Sequence, residues 1–299
     1  MNPMEFEHPE YLVDTDWLAT HMNDEDVRIV DVTGMLTSKL INRAEEQCFN
    51  KGHIRGSVFF DVPAGKGVLS DQNAKLPWSW PSPAQFEATM GEYGVRNDSH
   101  VIIVAKTPRA DIDSGTMWCT RAWWTMHHFG VRCSILLGGI EKWEDEGREM
   151  TTEVKKPTST SFTASEHYTK GLASKEDVLA SINEESICLV DALSENSFEG
   201  DEAGYGPRKG HIEGAVNVPF RALMDSETAH FKDADAIGDA LKELTSQASV
   251  ITYCGGAIAA TVNAFALKLV GYNNVSVYDA SLMEWAADES LPMVDRSEE

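Results

Sequence analysis

Residues 250–270 read VITYCGGAIAATVNAFALKLV. Val250 to Tyr253 is a short β-type run closed by glycines, and Thr261 to Val270 carries apolar residues at helical spacing, so Cys254 falls at a strand-to-helix turn. A helix start leaves about four backbone N–H groups without partners, and their field favours negative charge. A cysteine at that point is expected to titrate below its usual ~8.5 and to act as a thiolate nucleophile open to small solutes. Gly255 and Gly256 allow the backbone to curl with its N–H groups inward, while Ala257, Ile258 and Ala259 crowd no bound atom. The loop reads as an anion nest around a sulfur.

Outward from this stretch, strands and helices alternate. A helix capped by Thr15 leads into a strand at Val27 to Val32. GHIRGSVFFD, Gly52 to Asp61, carries a turn and a further strand. A helix begins near Ser82 with Pro83 just inside it, where a missing N–H costs nothing. Val101 to Ala105 is a strand, Met117 to Phe129 a helix and Ile135 to Leu137 a strand. This alternation predicts a mostly parallel sheet flanked by helices.

The same order then recurs. RIVDV at Arg28 to Val32 returns as CLVDA at Cys188 to Ala192, GHIRGSV as GHIEGAV at Gly210 to Val216, and VIIVA at Val101 to Ala105 as VITYC at Val250 to Cys254. GGIEKWEDE at Gly138 to Glu146 returns as ASLMEWAAD at Ala280 to Asp288. Two homologous α/β domains follow, over residues 1–150 and 172–299, joined by a Thr- and Ser-rich linker at 151–171. Where the second copy has Cys254 the first has Ala105, so the first domain lacks a nucleophile. Cys119 lies inside the following helix and reads as core.

Of 299 residues, 48 are acidic and 25 basic, a formal charge of −23, which argues against nucleic acid and anionic membrane as partners. Residues 1–10, MNPMEFEHPE, have neither a basic start nor a long apolar run, and the expected address is cytoplasmic. Five cysteines without a CxxC pair indicate neither a disulfide framework nor a zinc site, and chemistry carried by a cysteine nucleophile is expected to need no metal or organic cofactor. The adjacent His127 and His128 point in different directions on a helix and make no ligand pair.

Together these motifs resemble the two-domain rhodanese family, which includes the thiosulfate and 3-mercaptopyruvate sulfurtransferases, from about Leu12 to Met293. The resemblance implies an active site at the domain interface, an inactive N-terminal copy, a persulfide on Cys254 and a sulfur cradle at Gly255, Gly256, Ala257, Ile258 and Ala259. The donor is then a small anion of the thiosulfate or mercaptopyruvate type, and the acceptor a thiol or cyanide. Thiosulfate-using members resemble one another in basic residues directly after the cysteine, where this chain has Gly255 and Gly256. Mercaptopyruvate-using members read CGSG, with a serine that is Gly256 here. The family's substrate arginines are replaced by Leu193 and Ser197, and a histidine is replaced near Trp78, although Asp61 is retained.

An anionic donor needs a positive group. Arg208, beside Lys209, is the first candidate, because arginine forms paired hydrogen bonds to carboxylate or sulfonate. Lys106 and Arg109 lie in a long loop, KTPRADIDSGTMW, that is expected to reach the interface. Trp118, Trp123 and Trp124 read as packing. His53 with His211, and Asp31 with Asp191, occupy equivalent places in both copies and read as structural. A phosphatase that uses a cysteine in a similar nest needs an arginine six positions on, and that position is Ala260. A silent binding module is the other alternative, favoured by the lost arginines and opposed by the retained Cys254.

Overall fold

The computed structural model describes residues 5–109, 114–228 and 230–297. The chain forms two compact units, one of Pro9–Tyr168 with Glu227–His230, the other of Glu5–His8, Thr169–Ser226 and the chain from Phe231 onward.

Each unit holds a five-stranded sheet in which every neighbouring pair is parallel. In the first, the spatial order is Leu12–Val13, Arg132–Leu136, His100–Val104, Val27–Asp31, Ser57–Phe59. In the second it is Leu172–Ala173, Val275–Tyr278, Ser249–Tyr253, Ile187–Asp191, Val216–Asn217. The two orders are the same, strand for strand. A small antiparallel pair also repeats, His53–Ile54 with Met150–Thr151 and His211–Ile212 with Met293–Val294.

His100–Val104 is buried at every position and carries no alternation, as expected for a strand covered on both faces. The helices Gly115–His128 and Ala259–Leu269 are buried nearly all round, which explains why their sequences show no polar stripe. Trp123 and Trp124 are fully buried and Trp118 nearly so, which makes all three packing residues. The helix Pro83–Glu92 opens on a capping box from Ser82 and Gln85 with Pro83 at its first turn.

Two expectations shift. The first helix spans Thr15–His21, but its cap is Asp14, whose carboxylate accepts from the Trp17 N–H at 2.7 Å, so the cap lies one residue earlier than Thr15. The stretch expected as a linker is bonded to the first unit as far as Tyr168. Thr160 N–H donates to Gly91 O at 2.8 Å, its hydroxyl to Val95 O at 2.7 Å, and Ser165 N–H to Phe129 O at 2.8 Å. Phe162 is buried against Phe86 and Tyr168 stacks on Phe129. Its Thr and Ser residues place short hydrogen-bonding side chains along an extended backbone, and the aromatics supply the anchors.

Candidate active site

In the second unit the chain leaves the central strand Ser249–Tyr253 toward Val275–Tyr278 on one side, and leaves Ile187–Asp191 toward Val216–Asn217 on the other. Between these two strands the direction of connection reverses, and the carboxyl ends at such a reversal form the crevice where open α/β sheets bind ligands. Cys254 follows the first strand and Asp191 ends the second.

The loop from Cys254 to Ile258 curls at Ala257, which takes a left-handed φ of 60° directly before the right-handed Ile258. That alternation turns successive N–H groups to one side. Those of Ala260, Gly256 and Ile258 act on the Cys254 sulfur as hydrogen-bond donors. Of the positions read as the cradle, Gly256 and Ile258 supply amides, Ala257 supplies the turn, and the residue missed is Ala260. Ala259 begins the helix.

The expected low pKa and open sulfur are corrected. Cys254 is 2% exposed, and burial pushes its thiol above the ordinary value, outweighing the three amides that pull it down. Asp191 pushes the same way. Asp191 is fully buried, its carboxyl pushed up to about 7 by burial against the pull of the Leu193 N–H and the Tyr253 hydroxyl.

The second strand-to-helix turn holds the loop from behind. The Ser281 hydroxyl accepts the Cys254 N–H at 3.2 Å and donates to Tyr278 O at 2.7 Å. The N–H groups of Leu282 and Met283 donate to the carbonyls of Cys254 and Gly255, each at 3.0 Å. Ser281 does this from a φ of 50°, where its counterpart in the first unit is Gly139 at 60°. The signal was present in the repeat, where GG in one copy faces AS in the other.

Arg208 is not an anion receptor. Its guanidinium donates to the carbonyls of Ala286 at 3.2 Å, Leu291 at 2.6 Å, Trp285 at 2.7 Å and Asp288 at 2.5 Å. These lie at and after the end of the helix Ser281–Trp285, whose last carbonyls have no partner within the helix. Four donated bonds consume most of the fork. Lys209 is exposed. In the first unit Lys106 pairs with Glu144 at 2.6 Å and Arg109 donates to Leu36 O at 3.2 Å. Residues 110–113 of that loop lie outside the described residues.

Sequence reasoning also missed Tyr205. A Cβ added to Gly255 would meet its ring carbons at 2.1, 2.2 and 2.5 Å, so the ring lies flush on the Gly255 backbone. Its signal was a single aromatic between two glycines just ahead of GHIEGAV.

The paired residues behave as paired. His53 and His211 each share an Nδ1 hydrogen bond with a phenylalanine carbonyl, Phe49 O at 2.9 Å and Phe198 O at 2.7 Å, and stack on that same ring. Asp31 accepts from the Thr33 N–H at 2.9 Å as Asp191 does from Leu193 at 2.8 Å. Leu193 is buried, and the Ser197 N–H is taken by the Ser194 hydroxyl. Asp61 accepts from Asn42 and the Ala64 N–H, while the Trp78 indole donates to Pro63 O. In the first unit the place of the Gly256 amide is held by the Thr107 N–H, which donates to the Glu141 carboxylate at 2.6 Å. Burial pushes Cys119 far above its ordinary value, as for a core thiol.

Among the described residues no cluster of three His, Cys, Asp or Glu could hold a metal ion, and no helix is long and apolar enough to cross a membrane.

The pattern of the rhodanese-like domain matches this chain twice, over residues 14–146 and 174–288. The 3-mercaptopyruvate sulfurtransferase of Escherichia coli (strain K12) is 33% identical over 288 residues, covering 95% of this chain and 97% of the relative. The thiosulfate sulfurtransferase of Gallus gallus is 32% identical over 247 residues, 81% of each chain. Among solved structures, that of SseA from Escherichia coli, a 3-mercaptopyruvate sulfotransferase, superposes with a TM-score of 0.78 at 29% identity, covering 91% of this chain and 98% of the other. An anaerobic ergothioneine biosynthesis enzyme from Chlorobium limicola reaches 0.84 at 18% identity, over 97% of this chain and 71% of that one, a likeness of fold alone. By repeat, fold and sequence, this chain belongs to the rhodanese family and is a sulfurtransferase.

Proposed function

We propose that this chain moves sulfane sulfur from a small anionic donor, of the thiosulfate or 3-mercaptopyruvate type, through a persulfide on Cys254 to a thiol or cyanide acceptor. The observation that carries this reading is the set of three backbone N–H groups, from Gly256, Ile258 and Ala260, aimed at one buried sulfur. Such donors are fixed before the reaction and favour the charge that the outer sulfur carries once transferred.

The step is a displacement. The Cys254 thiolate attacks the outer sulfur of the donor, a new S–S bond forms, and the bond from that sulfur to the rest of the donor breaks. With thiosulfate the electron pair leaves on sulfite. With 3-mercaptopyruvate it leaves on the methylene carbon, which takes the thiol proton and departs as pyruvate. The acceptor then attacks the outer sulfur and regenerates the thiolate. Burial of the thiol makes the thiolate scarce at neutral pH, so the cradle acts chiefly after sulfur arrives, on a persulfide that is the stronger acid.

Incubation with each donor in turn, followed by intact-protein mass spectrometry, is expected to add one sulfur to the wild type and none to Cys254→Ser. Either of two results overturns the reading: turnover retained by Cys254→Ser moves the chemistry to another residue, and no added sulfur with either donor leaves the silent module.

A further inference from the structure

The space beside Cys254 that a side chain at position 255 would use is already filled, by a residue from a different loop. Tyr205 lays Cε1, Cδ1 and Cζ where a Cβ on Gly255 would stand. The ring reaches that place because its loop is pinned on both sides. A Cβ on Gly204 would meet Arg208 O at 2.5 Å, and one on Gly206 would meet the Ala286 methyl at 2.9 Å, so both glycines lie tight against their surroundings. Arg208 fastens the far end of the loop through its four carbonyl bonds.

Tyr205 also faces the chemistry. Cys254 and Asp191 both act on its hydroxyl, which burial together with those charges pushes up to about 12. The phenol therefore stays neutral and offers a hydrogen bond. The residue is 44% exposed while Cys254 is 2% exposed, so the ring lies between solvent and the backbone that follows the cysteine.

From this packing we infer that Tyr205 is a specificity-determining residue of the transfer reaction. It takes the volume of the side chain that would follow the cysteine and presents the donor's leaving group with an uncharged hydroxyl. The inference rests on the persulfide reading above. A neutral hydrogen-bond donor within the field of the Asp191 carboxyl suits a leaving group with one negative charge, as in 3-mercaptopyruvate. It compensates poorly for the two charges of thiosulfate, whose desolvation costs more. The ring in this place excludes a side chain at 255, so the two positions are coupled.

The test measures kcat/KM with 3-mercaptopyruvate and with thiosulfate, cyanide as acceptor, in the wild type, Tyr205→Phe, Tyr205→Ala, Gly255→Ser and the Tyr205→Ala/Gly255→Ser double variant. The wild type is expected to prefer 3-mercaptopyruvate, and Tyr205→Phe to lose about tenfold in kcat/KM with that donor while keeping its fold. Tyr205→Ala is expected to narrow the preference and to speed alkylation of Cys254 by iodoacetamide. Gly255→Ser alone is expected to lose about tenfold or more, and the double variant to recover most of it. An unchanged donor ratio in both Tyr205 variants, or a harmless Gly255→Ser, overturns the assignment even where Cys254 gains sulfur normally. A wild type that gains no sulfur from either donor overturns the persulfide reading and this one with it.

Discussion

Ser281 holds a backbone angle that ordinarily belongs to glycine, and its counterpart Gly139 shows that the fold needs that angle at the equivalent position. A non-glycine residue there costs on the order of 1–3 kcal/mol. The cost is offset by a fully buried hydroxyl that accepts the Cys254 N–H and donates to Tyr278 O. Removing the hydroxyl while keeping a Cβ retains the strain and orphans the Cys254 amide. Ser281→Ala is therefore expected to lose about 1–3 kcal/mol in chemical denaturation. Ser281→Gly, which relaxes the angle, is expected to lose less. Equal stability of Ser281→Ala and the wild type removes the hydroxyl from this role.

At the scale of elements, the segment from Tyr205 to Gly210 is fastened by one guanidinium to the end of the helix Ser281–Trp285. Arg208→Ala is expected to shift the denaturation midpoint by about 2–3 kcal/mol, and Arg208→Lys not to restore it, because an ammonium cannot span four carbonyls. A midpoint unmoved in Arg208→Ala would free the residue for another task. This is also where sequence reading reached its limit. The strand Ser249–Tyr253, the turn that carries Cys254 and the repeat were legible, since periodicity, glycines and self-similarity are local or internal signals. The destination of Arg208 was not legible, because the carbonyls that receive it come from positions 285 to 291 and leave no mark in side-chain chemistry. Tyr205 escaped for a similar reason, its partner being a bare glycine backbone 50 positions away. The pKa of Cys254 went the other way because the helix start is visible in sequence and the depth of burial is not.

Over the whole molecule, duplication has placed a buried carboxyl at the same strand end in each unit, pushed up to about 6 at Asp31 and to about 7 at Asp191, in both cases first by burial. Each native carboxyl holds its proton above the ordinary 3.8, while the unfolded chain releases it there. In that window the native state binds more protons than the unfolded one, so its stability falls as pH rises. For Asp191 the loss runs from about pH 4 to about pH 7 and is on the order of a few kcal/mol. Asp191→Asn keeps an acceptor for the Leu193 N–H and has no proton to lose. Its denaturation midpoint is expected to gain on the wild type between about pH 4 and about pH 7; a constant gap between the two would remove the buried charge as the cause. The copies have nonetheless diverged beyond a single substitution. In the first unit the amide corresponding to Gly256 already serves the Glu141 carboxylate, and a Cβ on Gly139 would stand 2.8 Å from Ala105 O and 2.9 Å from Glu141 Oε2. Grafting a thiol onto Ala105 would thus set it beside a resident anion, with no room for the hydroxyl that steadies its counterpart: the first unit has spent its binding capacity on itself, and a one-letter change would not make it a second centre.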